Sequence, residues 1–285
     1  MNGGIKMGKL NKKIGFIGGG QMGAAIIGGL LNAGLFENSD IYVMDILPQR
    51  LDYLKSTYNI NNSSNDRTSG YQYLADNCDI ILLAVKPQSL QEVLHNIENL
   101  KWQENHLVVS IIGGAQTSSI EKVLKNVHVV RVIPNTPMLV NIGASGVSRG
   151  KFATQQDAER VQGLFSALGV SFIVPEHLID PITAVSGAGP AYVYMFIEAM
   201  ADGGVEMGLP RDVAQTLAAQ TVMGAAKMVL DTKEHPGKLK DNVCSPGGCT
   251  IAGVRALEKG CFRGTIMDAI EAGKVRMEEV GKKAD

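Results

Sequence analysis

Apolar residues along the first part of this chain fall in short unbroken runs, and along the last part at helical spacing. Lys12–Ile17, Ile41–Asp45, Asp79–Val85, Leu107–Ile112 and Val127–Val132 are short stretches made up mainly of apolar residues, most continuous over Ile80–Val85. Such runs predict strands covered on both faces, the condition of a parallel sheet. Between them lie segments with apolar residues at helical spacing. One carries Ala24, Ile27, Leu30 and Leu31 and stops at Asn32-Ala33-Gly34, another is Gln88–Ile97, and a third is Ser118–Leu124. Each predicts a helix. Asn59–Asn77 is polar and turn-rich and predicts no element. Val147, a helical pattern from about Thr154 to Leu168 and a strand over Ser171–Val174 read as a last appendage to the same sheet. Strands alternating with helices predict a doubly wound, mainly parallel sheet.

Around Pro175–Pro181 the pattern changes, and beyond it only helical spacing remains. Helices are expected over Ala191–Met207, over Arg211–Leu230 with Pro210 at its first position after a break at Gly208, over Ile251–Glu258, and over Phe262–Gly281, with a polar loop at 231–243. The expected division is an α/β domain over 1–178, with a flexible lead-in at 1–11, and an all-α domain over 179–285. Ala, Gly and Met crowd several faces of the last helices, among them Ala199, Met200, Gly203, Gly204, Ala218, Gly224 and Met228. A helical region too apolar for one chain to cover predicts self-association through it, as a dimer at least.

Composition narrows the partners. Of 285 residues, 45% are hydrophobic and 19% charged, and the net charge is −1. That balance gives no reason to expect nucleic acid or an anionic membrane as partner. No apolar run approaches the length of a bilayer span, and the N-terminus lacks the apolar stretch of a secretory signal, so a cytoplasmic location is expected. The four cysteines, Cys78, Cys244, Cys249 and Cys261, are then expected as reduced thiols.

The first predicted strand ends in Gly18-Gly19-Gly20-Gln21-Met22-Gly23, and the glycines at 18, 20 and 23 fit G-x-G-x-x-G. A helix follows, then a second strand ending in Asp45, 22 residues after Gly23. A lone glycine pattern is weak, but strand, glycines, helix, strand and terminal acid together define a Rossmann-type dinucleotide site. Gly18 makes the turn, Gly20 lets the pyrophosphate approach the backbone, and Gly23 lets helix and strand pack closely. Asp45 is placed to accept hydrogen bonds from the ribose 2′-hydroxyl of NADH and to repel the 2′-phosphate of NADPH. Arg50 favours the phosphate, so NADH is expected with some use of both. Ligands in such sheets sit at the carboxyl ends of strands, which puts Ala84, Val85, Lys86 and Pro87 at the cofactor. Asn135, in the stiff Pro134-Asn135-Thr136-Pro137 loop, is either a turn former or a contact to the nicotinamide.

Cys244-Ser245-Pro246-Gly247-Gly248-Cys249-Thr250 reads as a tight loop opening a helix. Helix starts of this kind present N–H groups at the positive end of the dipole, a seat for a small carboxylate. Val185-Ser186-Gly187-Ala188-Gly189-Pro190-Ala191 reads as a second glycine-rich turn into a helix, with the Ser186 hydroxyl available to a ligand. Cys244, Cys249, Cys261 and His235 are metal-ligand types, but they lack the paired spacing of a structural zinc site, and no metal is expected.

These residues also carry a family resemblance. Ile14–Gly23, Ala84-Val85-Lys86-Pro87, Pro134-Asn135-Thr136-Pro137, Ser186–Tyr192, His235-Pro236-Gly237 and above all Lys240–Thr250 resemble pyrroline-5-carboxylate reductases, over nearly the whole chain from Lys12. The resemblance implies reduction of 1-pyrroline-5-carboxylate to L-proline, the last step of proline biosynthesis, with NADH or NADPH. It implies a helical C-terminal dimerisation domain, with further assembly to a decamer. By position it implies substrate binding by Ser245, Gly247, Gly248 and Thr250; the second glycine-rich turn adds Ser186 as a substrate-binding candidate, and the chemistry of a cyclic imine makes the Thr250 hydroxyl, at the ring nitrogen, the catalytic candidate. The glycine fingerprint, the terminal acid and the strand ends together make Gly18, Gly20, Gln21, Met22, Gly23, Asp45, Ala84, Val85, Lys86, Pro87 and Asn135 the cofactor-binding candidates. Cys249 stands where the family usually has a small neutral residue. Asp45 stands where many members carry a small polar residue that tolerates a 2′-phosphate.

Overall fold

A computed structural model describes residues 9–60 and 62–284. The expected lead-in over 1–11 lies mostly outside them. Within its described end the Leu10 N–H donates to the Leu35 carbonyl, and just beyond it Lys12 Nζ sits 2.7 Å from Asp79 Oδ1.

In chain order the elements are β1 (Ile14–Ile17), α1 (Gln21–Asn32), β2 (Ile41–Met44), α2 (Pro48–Tyr58), β3 (Asn62–Ser64), α3 (Arg67–Asn77), β4 (Ile80–Leu83), α4 (Leu90–Ile97), β5 (Leu107–Ser110) and α5 (Thr117–Val123). They continue with β6 (His128–Ile133), β7 (Gly143–Arg149), α6 (Gln155–Ser166) and β8 (Gly169–Ile173). The helical elements that follow are α7 (Ile179–Ile182), α8 (Gly189–Glu206), α9 (Arg211–Thr232), α10 (Pro236–Val243), α11 (Cys249–Lys259) and α12 (Phe262–Ala284).

The described strands form one eight-stranded sheet in the order β3-β2-β1-β4-β5-β6-β7-β8. Every neighbour pair is parallel except β6 with β7. Successive strand residues point to opposite faces, and this period of two divides the interior into two cores. Ile14, Phe16, Val43, Ile80, Leu82 and Val109 face one core with α1, α2 and α6. Ile17, Met44, Ile81, Leu83 and Val108 face the other with α3, α4 and α5. Burial on both faces is why the strands read as continuous apolar runs.

The segment expected to be structureless supplies β3 and α3. Its helix begins at Asp66, whose carboxylate accepts from the Ser69 N–H at 2.7 Å, so a cap starts a helix that polarity concealed. Tyr71, Leu74 and Ala75 of that helix carry it into the core. Beneath it, Cys78 is 3% exposed, packs against Gly15, and has its thiol pushed up to about 12 by burial. Past the sheet, buried Arg131 reaches Asp180 at 2.9 Å and Glu176 at 3.5 Å, while Glu176 also accepts from the Thr117 N–H and hydroxyl. This network fixes the chain where strands give way to helices.

The described chain separates into two compact units: residues 9–188 with 273–284, and Gly189–Ala272. In the first, the end of α12 lies against the loop after β5, where a Cβ on Gly114 would meet Val280 Cγ1 at 2.9 Å. In the second, the buried cluster consists of Ala201, Ala214 and Ala218 of α8 and α9, flanked by Ile197 and Val205. Three expectations need correction here. Pro210 is the N-cap of α9 rather than its first position, 231–243 contains α10 capped by His235, and Val185–Ala191 is no turn. Instead the helical path runs on through one wide π-type turn, in which the Ala188 N–H donates to the Thr183 carbonyl at 2.9 Å.

Candidate active site

At the carboxyl ends of β1, β2 and β4 a cleft of about 350 Å³ opens, lined among others by Gly18, Gly20, Asp45, Arg50, Ala84, Val85 and Lys86. Gly18 has φ +102°, and a Cβ there would meet the Ala84 carbonyl oxygen at 2.6 Å. Only glycine makes this turn. A Cβ on Gly23 would meet the Gly18 carbonyl oxygen at 2.7 Å, which is the close packing of helix on strand expected from the sequence. Gly20 behaves differently, because a Cβ there would project into open space. Nothing in the chain requires glycine at 20, whereas a ligand pressed against that backbone does. The start of α1 after Gly20 lacks a side-chain cap and an acid in its first turn. It therefore suits a dinucleotide pyrophosphate, and the residues present fit the cofactor.

The Gly19 peptide between these glycines is held from both ends. Its N–H donates to Asp45 Oδ2 at 2.6 Å, and its carbonyl accepts from Arg50 Nε at 2.9 Å and Nη2 at 2.7 Å. Asp45 Oδ1 also accepts from the Leu47 N–H at 2.9 Å, and the Arg50 guanidinium lies 4.8 Å from the Tyr53 ring centre. Lys86 and Pro87 follow β4 as foreseen, with Pro87 opening a short 3₁₀ turn. Gln21 is exposed at the first position of α1, and Met22 packs on the core beside it. Arg67, Tyr71, Ser89 and Glu92 also line the cleft, and sequence reasoning missed all four. Arg67 pairs with Glu92. The Asp66 cap just before Arg67 was the signal that could have found α3.

Asn135 is spent on the fold: its Oδ1 accepts from the Ala144 N–H at 2.8 Å and its Nδ2 donates to the Ser186 carbonyl at 3.0 Å. The Ser186 hydroxyl donates to the Ile182 carbonyl at 2.9 Å, one turn back in its own helix. The hydroxyl expected to face a ligand is thus used within the wide turn.

In the helical unit, α10 ends at Cys244, and a turn closed by the Gly248 N–H donating to the Ser245 carbonyl at 3.1 Å leads to α11. Gly247 sits at φ +69°, and Gly248 is the N-cap, with no side chain to cover the first N–H groups of α11. Cys249 and Thr250 occupy the first two positions of the helix. Ser245, Gly247, Gly248 and Thr250 are therefore brought together at one helix start. His235 Nδ1 accepts from the Gly237 N–H at 3.1 Å, so that ring nitrogen caps α10.

The sheet, its glycine cleft and the helical unit that follows define a dinucleotide-dependent oxidoreductase. Residues 13–114 match a family described as "NADP oxidoreductase coenzyme F420-dependent", and residues 176–280 match one described as "Pyrroline-5-carboxylate reductase dimerisation". The chain is 44% identical to the pyrroline-5-carboxylate reductase of Methanosarcina acetivorans, over 96% of this chain and 99% of that protein. It is 42% identical to the Escherichia coli enzyme of the same name, over 96% and 100%. The crystal structure of a Plasmodium falciparum pyrroline carboxylate reductase with NADP bound superposes with a TM-score of 0.84 at 34% identity, covering 96% of this chain and all of that one. The chain belongs to the pyrroline-5-carboxylate reductase family.

Proposed function

We propose that this chain reduces 1-pyrroline-5-carboxylate to L-proline with NADH or NADPH, using the cleft and the helix start described above. The observation that carries the reading is the pairing, in one chain of this family, of a glycine cradle whose Gly20 opens on the cleft with an uncapped glycine helix start at Gly248. Gly18, Gly20, Gln21, Met22 and Gly23 hold the pyrophosphate at the start of α1, Asp45 holds the adenosine ribose, and Ala84–Pro87 form the opposite wall, while Asn135 braces its own loop through Ala144 and Ser186. The dihydronicotinamide supplies the hydride.

The substrate is a cyclic imine bearing a carboxylate. Ser245 and the backbone N–H groups from Gly247 to Thr250 bind the carboxylate at the positive end of α11. The Thr250 hydroxyl hydrogen-bonds the ring nitrogen. An alcohol is a poor acid, so Thr250 orients the protonated imine or relays a proton from water. A protonated imine already accepts hydride well, and holding it in place supplies most of the rate. The Ser186 hydroxyl, whose proton is donated to the Ile182 carbonyl in this structure, can meet substrate as an acceptor but donates to it only by leaving that bond.

Among the described residues no helix is long and apolar enough to cross a membrane. A cytoplasmic enzyme is in keeping with that, and the dimerisation match from 176 supports a change of role near 178/179, although the compact units part ten residues later, at Ala188 and Gly189, and residues 273–284 return to the sheet unit. The apolar side chains exposed on α8 and α9 support a dimer, and further assembly to a decamer rests on the family resemblance alone. The test is loss of NADH or NADPH absorbance when 1-pyrroline-5-carboxylate is added to purified protein. Rapid oxidation is expected, whereas no oxidation by folded, nucleotide-binding protein would exclude this substrate.

A further inference from the structure

We infer that His235 is a positioning residue for substrate: its imidazole starts α10, and α10 holds the turn at Ser245–Gly248 in the form that receives a carboxylate. The inference rests on the reading of that turn as the substrate site. His235-Pro236-Gly237 carries part of the family resemblance, yet no step of the proposed reaction uses it.

α10 has eight residues, Pro236–Val243, and none of them is buried. A helix that short has little stability of its own, so the way it starts decides whether it forms. One residue starts it. His235 Nδ1 accepts from the Gly237 N–H at 3.1 Å, and the His235 carbonyl accepts from the Lys238 N–H at 2.9 Å and the Leu239 N–H at 3.2 Å. Pro236, at the first position, has no N–H to satisfy and sets φ in advance. His235 therefore receives every N–H that the first turn of α10 offers. Gly237 makes room for the ring, because a Cβ there would stand 3.0 Å from Nδ1 and 3.2 Å from Cε1. Glycine inside a helix costs stability, and the imidazole beside it accounts for the choice.

Both ends of α10 lead directly to neighbouring helices. Upstream, α9 is capped by Lys233 at φ +57°, and the Glu234 N–H donates to the Thr232 hydroxyl at 3.2 Å, so Lys233 and Glu234 alone separate α9 from the His235 cap. Downstream, the Cys244 N–H donates to the Asp241 carbonyl at 3.0 Å, and the chain enters Ser245-Pro246-Gly247-Gly248. Pro246 stands second, Gly247 stands third at φ +69°, and the Gly248 N–H closes on the Ser245 carbonyl at 3.1 Å, which makes a type II turn. The Ser245 hydroxyl lies against Gly248, where a Cβ would collide with it. Fraying of α10 from its start thus carries Ser245 away from the N–H groups of α11 that complete the carboxylate seat. Loss of the cap lowers the fraction of protein with that seat assembled, and apparent affinity for substrate falls by the same fraction. Bound substrate restores the seat, so the rate at saturation changes little.

The test is steady-state kinetics of the purified full-length protein with 1-pyrroline-5-carboxylate, together with amide hydrogen exchange read by mass spectrometry. His235→Ala is expected to raise the KM for the imine about three- to tenfold, with kcat changed less than about twofold and the KM for the nucleotide unmoved. It is expected to speed exchange over 237–250 and not in the sheet unit. His235→Asn keeps a side-chain acceptor of a preferred capping type and should return both readouts to within about twofold of the parent. If His235→Ala fails to fold, His235→Gln, whose longer side chain is not of that capping type, takes its place with the same expectations. A KM and exchange pattern equal to the parent's would overturn the inference. So would a fall in kcat with KM unmoved, or a His235→Asn variant as impaired as His235→Ala. Faster exchange over 237–250 that His235→Asn reverses, in a protein that does not reduce the imine, would uphold the positioning of the turn and remove only the substrate reading.

Discussion

The two units of this chain meet water on different terms. In the sheet unit, strands and helices bury one another so completely that Ile14, Phe16, Ile27, Val109 and Val130 have 0% exposure. In the helical unit the buried cluster is three alanines, while Tyr194, Met195, Leu217, Met223, Met228 and Leu230 lie more than half exposed on α8 and α9. A chain whose composition is ordinary overall has distributed its apolar surface unevenly. The sheet unit is finished by its own side chains. The helical unit leaves apolar surface of a size that marks interaction sites, and it lies within the match described as a dimerisation family.

Four changes probe that contrast, from the largest expected effect down. Ile27→Ala in the sheet unit opens a cavity between α1 and the strands and should cost about 2–5 kcal/mol, read by chemical denaturation. A smaller loss would mean that this core relaxes as freely as a surface. Leu217→Lys on α9 should leave the circular dichroism of the chain intact but weaken self-association by about 2–3 kcal/mol, some 30- to 150-fold. Light scattering across a dilution series measures this. An unchanged assembly would show that this face is not the one covered. Thr250→Ala should lower kcat/KM about 10–100-fold, a loss of about 1.4–2.7 kcal/mol, with stability preserved. Unchanged kinetics would remove Thr250 from the site.

The smallest effect is acid sensitivity, which should enter through the sheet unit. Burial pushes His106 below its usual 6.5, so the unfolded chain takes up that proton first and stability begins to fall as the pH drops below about 6.5. Burial works against the charge of Asp79 and Asp157. Even so, Lys12 and the Lys13 N–H hold Asp79 below the usual 3.8, and Thr154, His128 and Arg160 do the same for Asp157. Their contribution is full above that value and is lost as the pH falls through the lower folded one, giving a second, steeper decline below about pH 4. A pH titration that loses near-ultraviolet ellipticity before any change in assembly would agree. Dissociation first would place the acid-sensitive groups in the helical unit instead.

Legibility in the sequence followed burial. Strands covered on both faces announce themselves as apolar runs, and β2, β4, β5 and β6 were readable for that reason. So were the jobs of Gly18 and Gly23, which are set by contacts with neighbouring backbone. What escaped was held by caps and hydrogen bonds rather than by pattern. β3 and α3 hide in polar residues behind the Asp66 cap, and α10 hides behind His235. The Val185–Ala191 segment has the composition of a turn, yet its Ser186 hydroxyl and Asn135 brace a continuous helical path. Arg67 and Glu92 went unseen at the cleft because one lies on the hidden helix and the other on the polar face of α4.

Cys78 gives the sheet unit a built-in clock. Its thiol is shut away beneath α3 and kept protonated by a pKa near 12, whereas Cys249 and Cys261 are exposed in the helical unit. An alkylating reagent reacts with thiolates, so the exposed positions of the native chain label first and Cys78 waits for the sheet unit to open. Counting adducts by mass over time therefore times the opening of one half of the molecule without a mutation or a dye.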